Sequence, residues 1–336
     1  MLPLPGVEGD LCEWFFQEVG MGSKAASERH RLPRAARGHL VRVRPEAEIL
    51  ATLDAEGKLE GMPFMPEMTR YFGQTFRVYR RAVKTCVEGN AIRRLTDTVI
   101  LEGLRCDGAF HEGCQRSCPY FWKEAWLEPL AGDGDPPPPA PQPPSGFWLD
   151  RFPTRSGERF LCQSTELLGA TQRISRWDLT HLLAEIRVGE LSVRMFLQIL
   201  VHTLANRVRE LLGFQRLGQL TGSREDFTKG DLDLRPGEWV EIKPAPEIRR
   251  TLDAEGRNRG LSFEPTMVDF AEGRFQVDYP IQRIISERTG QMIFLTHTVA
   301  LKGVTCTGLC AKNCPRNNTL YWREAWLRRV ERKAEG

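Results

Sequence analysis

Trp122-Lys123-Glu124-Ala125-Trp126-Leu127 returns as Trp322-Arg323-Glu324-Ala325-Trp326-Leu327. Each hexapeptide follows a triplet of cysteines: Cys106, Cys114 and Cys118 before the first, Cys306, Cys310 and Cys314 before the second. Further upstream, Thr52-Leu53-Asp54-Ala55-Glu56-Gly57 returns as Thr251-Leu252-Asp253-Ala254-Glu255-Gly256. Working outward from these anchors, residues 38–130 and 237–330 are two copies of one unit, because identity sustained over so long a period marks a repeat. Matched in order, Cys106, Cys114 and Cys118 fall on Cys306, Cys310 and Cys314. His111 then lies in a short segment that the second copy lacks. What both copies retain reads as fold or shared site; what only one retains is a candidate for specialised function.

Within each copy the pattern is mostly β. Leu40, Val41 and Val43, bounded by Gly38 and Pro45, predict a short strand. Ile49, Leu50 and Leu53 share one face of a helix over 46–53. Phe76–Arg80 and Leu95–Leu101 alternate, with a turn at Glu88-Gly89-Asn90, and Tyr120–Leu127 reads as a final strand. The second copy repeats this order from Trp239 to Leu327. Short strands separated by Gly-containing turns predict a small barrel. Residues 68–78 resemble the stretch of small Src-homology-3-like barrels where a loop ends in Gly and enters a strand. The expected class is therefore α+β, with two homologous, mostly-β, Src-homology-3-like repeats flanking a helical middle segment.

Five parts follow: an N-terminal segment (1–37), a Cys-rich repeat (38–130), a linker (131–146), a middle domain (147–236) and a second Cys-rich repeat (237–330). Residues 11–19 could form a short amphipathic helix, and 24–37 is a basic connector. The linker holds Pro136–Pro139, Pro141, Pro143 and Pro144, which predicts a stiff, extended spacer. Residues 177–213 read as helical, with Ser192 as an N-cap and Gly213 as a stop. Met195, Phe196, Ile199, Leu200, Leu204, Val208, Leu211 and Leu212 form an apolar stripe, expected to pack on a repeat.

The cysteines carry the chemistry. Six of the chain's nine fall in the two triplets. No signal peptide or membrane-spanning run is evident, so a cytoplasmic location with reduced thiols is expected, and metal ligation is favoured over disulfides. Cys106-x4-His111-x2-Cys114-x3-Cys118 offers three thiolates and an imidazole, which suits tetrahedral zinc. Cys306-x3-Cys310-x3-Cys314 lacks a nearby fourth donor; His297 is the nearest histidine in sequence, but nothing aims it at the cluster. Three cysteines with an open fourth position also suit an iron–sulfur cluster, and buried, unliganded thiols remain the bland reading.

Other candidates read as structural. Trp122, Glu124 and Trp126 would share one strand face, closing a core with Glu124 paired to an arginine. Asp54 and Asp253 have the composition of a helix end and turn. No hydrolase elbow, phosphate loop or dinucleotide fingerprint appears. With 47 basic and 44 acidic residues, net charge +3, the chain is too balanced for a dedicated polyanion binder. Arg77, Arg80, Arg81, Lys84, Arg93 and Arg94 nevertheless could line one sheet edge.

Several segments resemble an uncharacterised bacterial family with tandem Cys-rich repeats and no assigned activity. They are Pro236-Gly237-Glu238-Trp239-Val240-Glu241-Ile242-Lys243, Thr251-Leu252-Asp253, Asn258-Arg259-Gly260-Leu261, Tyr321–Leu327 and Phe160-Leu161-Cys162-Gln163-Ser164-Thr165-Glu166-Leu167. The resemblance implies a bacterial, cytoplasmic protein, sometimes encoded beside polysaccharide or specialised-metabolite genes, and transfers no catalytic residue. The favoured expectation is a non-catalytic, zinc-stabilised interaction or scaffold protein with a protein partner and no membrane. A nucleic-acid-binding protein with tandem zinc-containing barrels, and a metal or iron–sulfur enzyme, are the alternatives. The first copy has Lys58-Leu59-Glu60-Gly61 where the second has Arg257-Asn258-Arg259-Gly260.

Overall fold

The computed structural model describes residues 35–331 except 88–89, 133, 139, 141–145, 176–177, 179, 224, 227–231 and 309–311. The expected N-terminal helix and most of the basic connector lie outside the described residues, as does Cys310. The described part is α+β, with two matching antiparallel sheets.

The first repeat comprises β1 (Leu40–Val43), α1 (Glu46–Leu50), β2 (Thr75–Arg81), the hairpin β3 (Lys84–Val87) and β4 (Asn90–Arg94), β5 (Thr98–Leu101), β6 (Trp122–Lys123) and β7 (Leu127–Pro129). Val41 and Val43 face the core while Arg42 is exposed, which fixes register, since a one-residue slip would bury the arginine. Strand order is β6-β5-β2-β1-β7. A register shift between Val78 and Arg80 bends β2 as it passes from β1 to β5.

The expected continuous strand over 120–127 is broken. Glu124–Trp126 forms a 3-10 turn between β6 and β7, and these two strands lie on opposite edges of the sheet. Three intervening residues can span only about 15 Å, so the sheet must curl to bring its edges near. No ladder bond joins β6 to β7 among the described residues, so the sheet is open where a closed barrel was expected. Trp122 and Trp126 are both buried, one from the strand and one from the turn. Trp126 Nε1 donates to Thr52 Oγ1 at 3.1 Å, and Trp326 Nε1 to Thr251 Oγ1 at 3.0 Å. The two most recognisable motifs of each repeat are thus one hydrogen-bonded unit. Asp54 Oδ1 accepts the amides of Glu56 and Lys58, and Asp253 does the same for Glu255 and Arg257: a turn, not a catalytic pair.

The middle segment contains α2 (Gly146–Arg151), α3 (Gln163–Glu166), α4 (Thr180–Arg187) and α5 (Val193–Leu211). Trp148 of α2 is buried against Phe64 and Phe72 of the first repeat. Ser192 caps α5 by accepting the Met195 amide. The apolar stripe of α5 divides: Ile199 is buried with Leu182 and Leu191, whereas Leu200, Leu204, Val208, Leu211 and Leu212 are exposed. The stripe is therefore core over its first two turns and open surface beyond, where a packed face was expected. In the linker, Gly134, Asp135, Pro137, Pro138 and Ala140 are exposed, and the Ala140 backbone is paired to the Gln74 side-chain amide.

The second repeat repeats the first: β8 (Trp239–Ile242), α6 (Ala245–Arg250), β9 (Arg274–Pro280), the hairpin β10 (Arg283–Ile285) and β11 (Met292–Phe294), β12 (Thr298–Leu301), β13 (Trp322–Arg323) and β14 (Leu327–Arg329), in order β13-β12-β9-β8-β14. Lys84 and Glu185 pair at 2.8 Å with essentially no exposure, pinning β3 to α4. Replacing Glu185 by Leu should cost about 3–5 kcal/mol by leaving the ammonium buried alone, and adding Lys84→Met should recover most of the loss; chemical denaturation of the three variants checks this. His181, on the same helix, is held down to about 4 by burial and by Lys84 and Lys312. Its folded value lies below the unfolded one of about 6.5. Its contribution is therefore complete above that unfolded value and is lost as pH falls toward 4. A His181→Phe variant should show a shallower stability loss across that window.

Candidate metal centre

The two cysteine loops have the same length and share backbone contacts over the described residues. Arg105 bridges Pro119 as Thr305 bridges Thr319. The Cys106 amide donates to Cys118 O, and the Cys306 amide to Asn318 O. Glu112 and Lys312, like Ser117 and Asn317, share positive φ. Gly108 and Gly308 press against the backbones of Cys114 and Cys314, where a Cβ would come within about 2.2 Å. The matching in order therefore requires correction. Cys106 pairs with Cys306 and Cys114 with Cys314, but Cys118 stands opposite Asn318, and Cys310 stands opposite Phe110 in sequence. His111 sits in no insertion. Counting cysteines in order failed because conserved backbone contacts, not thiols, set the register.

Each loop docks on the other repeat's hairpin. The Ile285 amide of β10 donates to Cys114 Sγ at 3.4 Å; the Cys86 amide of β3 donates to Cys314 Sγ at 3.3 Å. Arg116 reaches Ile285 O, and Arg316 reaches Cys86 O.

In the first copy, Glu67, Cys106 and His111 bring donor atoms within 4.8 Å of one another, the one such group among the described residues. Glu67 comes from a 3-10 turn at Pro66–Tyr71, and sequence reading missed it because nothing near the cysteines points to it. Its Oε1 lies 3.0 Å from His111 Nδ1 and 3.9 Å from Cys106 Sγ. His111 Nε2 faces Leu161 O at 3.1 Å. A carbonyl only accepts, so Nε2 carries the hydrogen, and Nδ1, on the Glu67 side, is the nitrogen left to take a metal. Burial pushes the imidazole pKa down, but Glu67 outweighs it and the net direction is up. Burial, then Glu67, pushes the Cys106 thiol well up.

Glu67 Oε2 is buried without a hydrogen-bond partner. A buried carboxylate oxygen left so is costly, and a cation beside Cys106 and His111 would satisfy it. The second copy has Thr266 at the equivalent position, its hydroxyl 3.9 Å from Cys306 Sγ, so this group is specific to the first copy. His297, which shares positive φ with Asp97, lies 3.5 Å from Glu324 and not at the cluster.

Cys114 and Cys118 stand outside the three-donor group. Cys118 Sγ lies 3.2 Å from Ser164 Oγ. Together with Cys106, His111 and the middle segment's Cys162, they line one cavity of about 40 Å³. Burial pushes Cys162 up to about 11. Thiolates on one tetrahedral zinc would sit about 3.8 Å apart. No three of these four sulfurs lie within 4.8 Å of one another, so they ring the cavity.

Glu67→Gln should weaken divalent-metal affinity at least about tenfold, read by chelator competition; unchanged affinity removes Glu67 from the donor set. Comparison with family models, curated proteins and solved structures gives no match for this chain.

Proposed function

We propose that this is a metal-stabilised interaction protein without catalysis of its own, with zinc held at Glu67, Cys106 and His111. The carrying observation is the unpartnered, buried Glu67 oxygen beside two zinc-type donors. Carboxylate, imidazole and thiolate are all zinc ligands, and a fourth position would fall to water or a neighbouring thiol. Bound metal would join the 3-10 turn to the cysteine loop and, through the Leu161 carbonyl, to the middle segment. The exposed apolar face of α5 supports a protein partner, since contiguous apolar surface of this kind marks interaction sites. The strand order, with a 3-10 turn before the last strand, supports the Src-homology-3-like assignment of both repeats. A cytoplasmic location fits the reduced thiols; no helix among the described residues is long and apolar enough to cross a membrane.

A second reading, an iron–sulfur cluster, is favoured by the ring of Cys106, Cys114, Cys118 and Cys162 around one cavity. Nucleic-acid binding is not adopted, because the six basic residues that could line a sheet edge of the first repeat are engaged internally. Arg81 pairs with Glu124, Arg80 with Glu190, Lys84 with Glu185 and Arg94 with Asp178, while Arg77 and Arg93 hold backbone carbonyls.

Metal analysis with an absorption spectrum on anaerobically purified protein tests both readings. One zinc per chain, colourless, and lost in Cys106→Ser, is expected. Iron with acid-labile sulfide and a visible band would replace zinc by a cluster, and metal-free protein whose melting ignores chelators would defeat both.

A further inference from the structure

Cys86 and Cys314 are 228 residues apart, yet their sulfurs lie 3.4 Å apart. Cys86 is half-buried in β3 of the first repeat, and Cys314 is buried in the loop of the second. The contact is the second half of the reciprocal docking, but it is not symmetric. Where Cys86 faces Cys314, the first copy's Cys114 faces Ile285. One copy therefore carries a lone thiol and the other a facing pair. A thiol pair in van der Waals contact needs only a small side-chain rotation to reach the S–S bond length of about 2.05 Å.

The surroundings favour reaction at Cys314. Its sulfur accepts the Cys86 amide at 3.3 Å. Arg316 lies buried beside the pair, bonding Cys86 O at 3.1 Å, Ser164 Oγ at 2.9 Å and Glu287 at 2.9 Å. The neighbouring Asn313 bonds Arg80 of β2 and Glu185 of α4. Lys84 of β3, paired to Glu185, and Lys312 of the loop are the other charged groups nearby. The loop over 312–316 thus joins the first repeat, the middle helix and the second repeat at the thiol pair.

We propose that Cys86 and Cys314 are a redox-active pair, oxidised by a small peroxide to a disulfide that clasps the second cysteine loop to the first repeat. The Cys314 sulfur attacks one peroxide oxygen; the O–O bond breaks, hydroxide leaves, and Cys314 becomes a sulfenic acid. The Cys86 sulfur then attacks Cys314; the S–S bond forms, the S–O bond breaks, and hydroxide leaves with the Cys86 proton as water. Two thiols and one peroxide become one disulfide and two waters. A dithiol reverses the reaction by exchange, itself becoming a disulfide. The neighbouring Cys86 thiol, the amides of Cys86 and Arg316 and the Arg316 charge lower the Cys314 thiol against the effect of burial, consistent with its role as attacking group. The proposal stands apart from the zinc reading, since neither cysteine belongs to the Glu67, Cys106 and His111 group.

The test uses the full chain, purified reduced and anaerobic, treated with stoichiometric hydrogen peroxide, then alkylated and peptide-mapped. A Cys86–Cys314 linked peptide is expected, with two fewer thiols than the nine in the chain and full reversal by dithiothreitol. The oxidised protein's melting midpoint should rise by on the order of 5 °C or more, since the bond closes a long loop. Cys86→Ser and Cys314→Ser should each abolish both effects. The mapping on the unmodified chain decides even where a variant fails to fold. Linkage of Cys314 to Cys306 or Cys310 overturns the proposal. So does Cys86 modified alone, or a stoichiometric metal lost in Cys86→Ser. Loss of zinc in Cys106→Ser, measured separately, bears only on the metal reading.

Discussion

Glu287 is where the two halves of the molecule are fastened. Its carboxylate receives Arg116 from the first cysteine loop and Arg316 from the second, each at 2.9 Å, and is almost wholly buried. Two guanidinium groups share one buried carboxylate, so losing Glu287 would leave both positive charges buried without their partner, and the contact is hard to break once formed. The consequence is geometric. Both loops converge on one residue of the second repeat, which brings the first loop across to it and sets the second loop beside the first. The same arginines then reach the strand carbonyls of Ile285 and Cys86, and Cys114 and Cys314 come to rest on backbone amides of the opposite repeat.

This arrangement explains why the loops tolerate so little apolar content of their own. Each is held by charge-assisted bonds to a neighbour and by a glycine, Gly108 or Gly308, whose lack of a Cβ permits close backbone approach. The groups around the first loop come from three separate segments: Glu67 from a 3-10 turn, Cys106 and His111 from the loop, and Cys162, which lines the cavity beside them, from the middle segment. Ser164 connects the two loops directly, touching Cys118 on one side and Arg316 on the other. Chemistry at either cysteine loop is therefore mechanically close to the other.

The two copies have diverged at these sites while their cores stayed alike. Thr266 stands where the first copy has Glu67, Asn318 where it has Cys118, and Ile285 where it has Cys86. The core pairs Trp126–Thr52 and Trp326–Thr251 are unchanged. At the rim, Lys123 holds Glu60, and Arg323 instead bonds the carbonyls of Asn258 and Arg259. The difference at residues 58–61 and 257–260 is thus a repacked turn, each version matched to its own cation.

By itself the sequence determined the repeat, the mostly-β character of each copy, the capped helix after Ser192 and the core role of the tryptophans. These follow from local periodicity, turn chemistry and identity between copies, which neighbours along the chain are enough to reveal. Only the tertiary structure decided the open sheet and the split of the α5 stripe into buried and exposed halves. It alone brought Glu67 and Cys162 to the first loop and Cys86 to the second. Each of these depends on contacts between residues tens to hundreds of positions apart. Such contacts are chosen by burial and by the pairing of buried charge, and no local pattern carries that information.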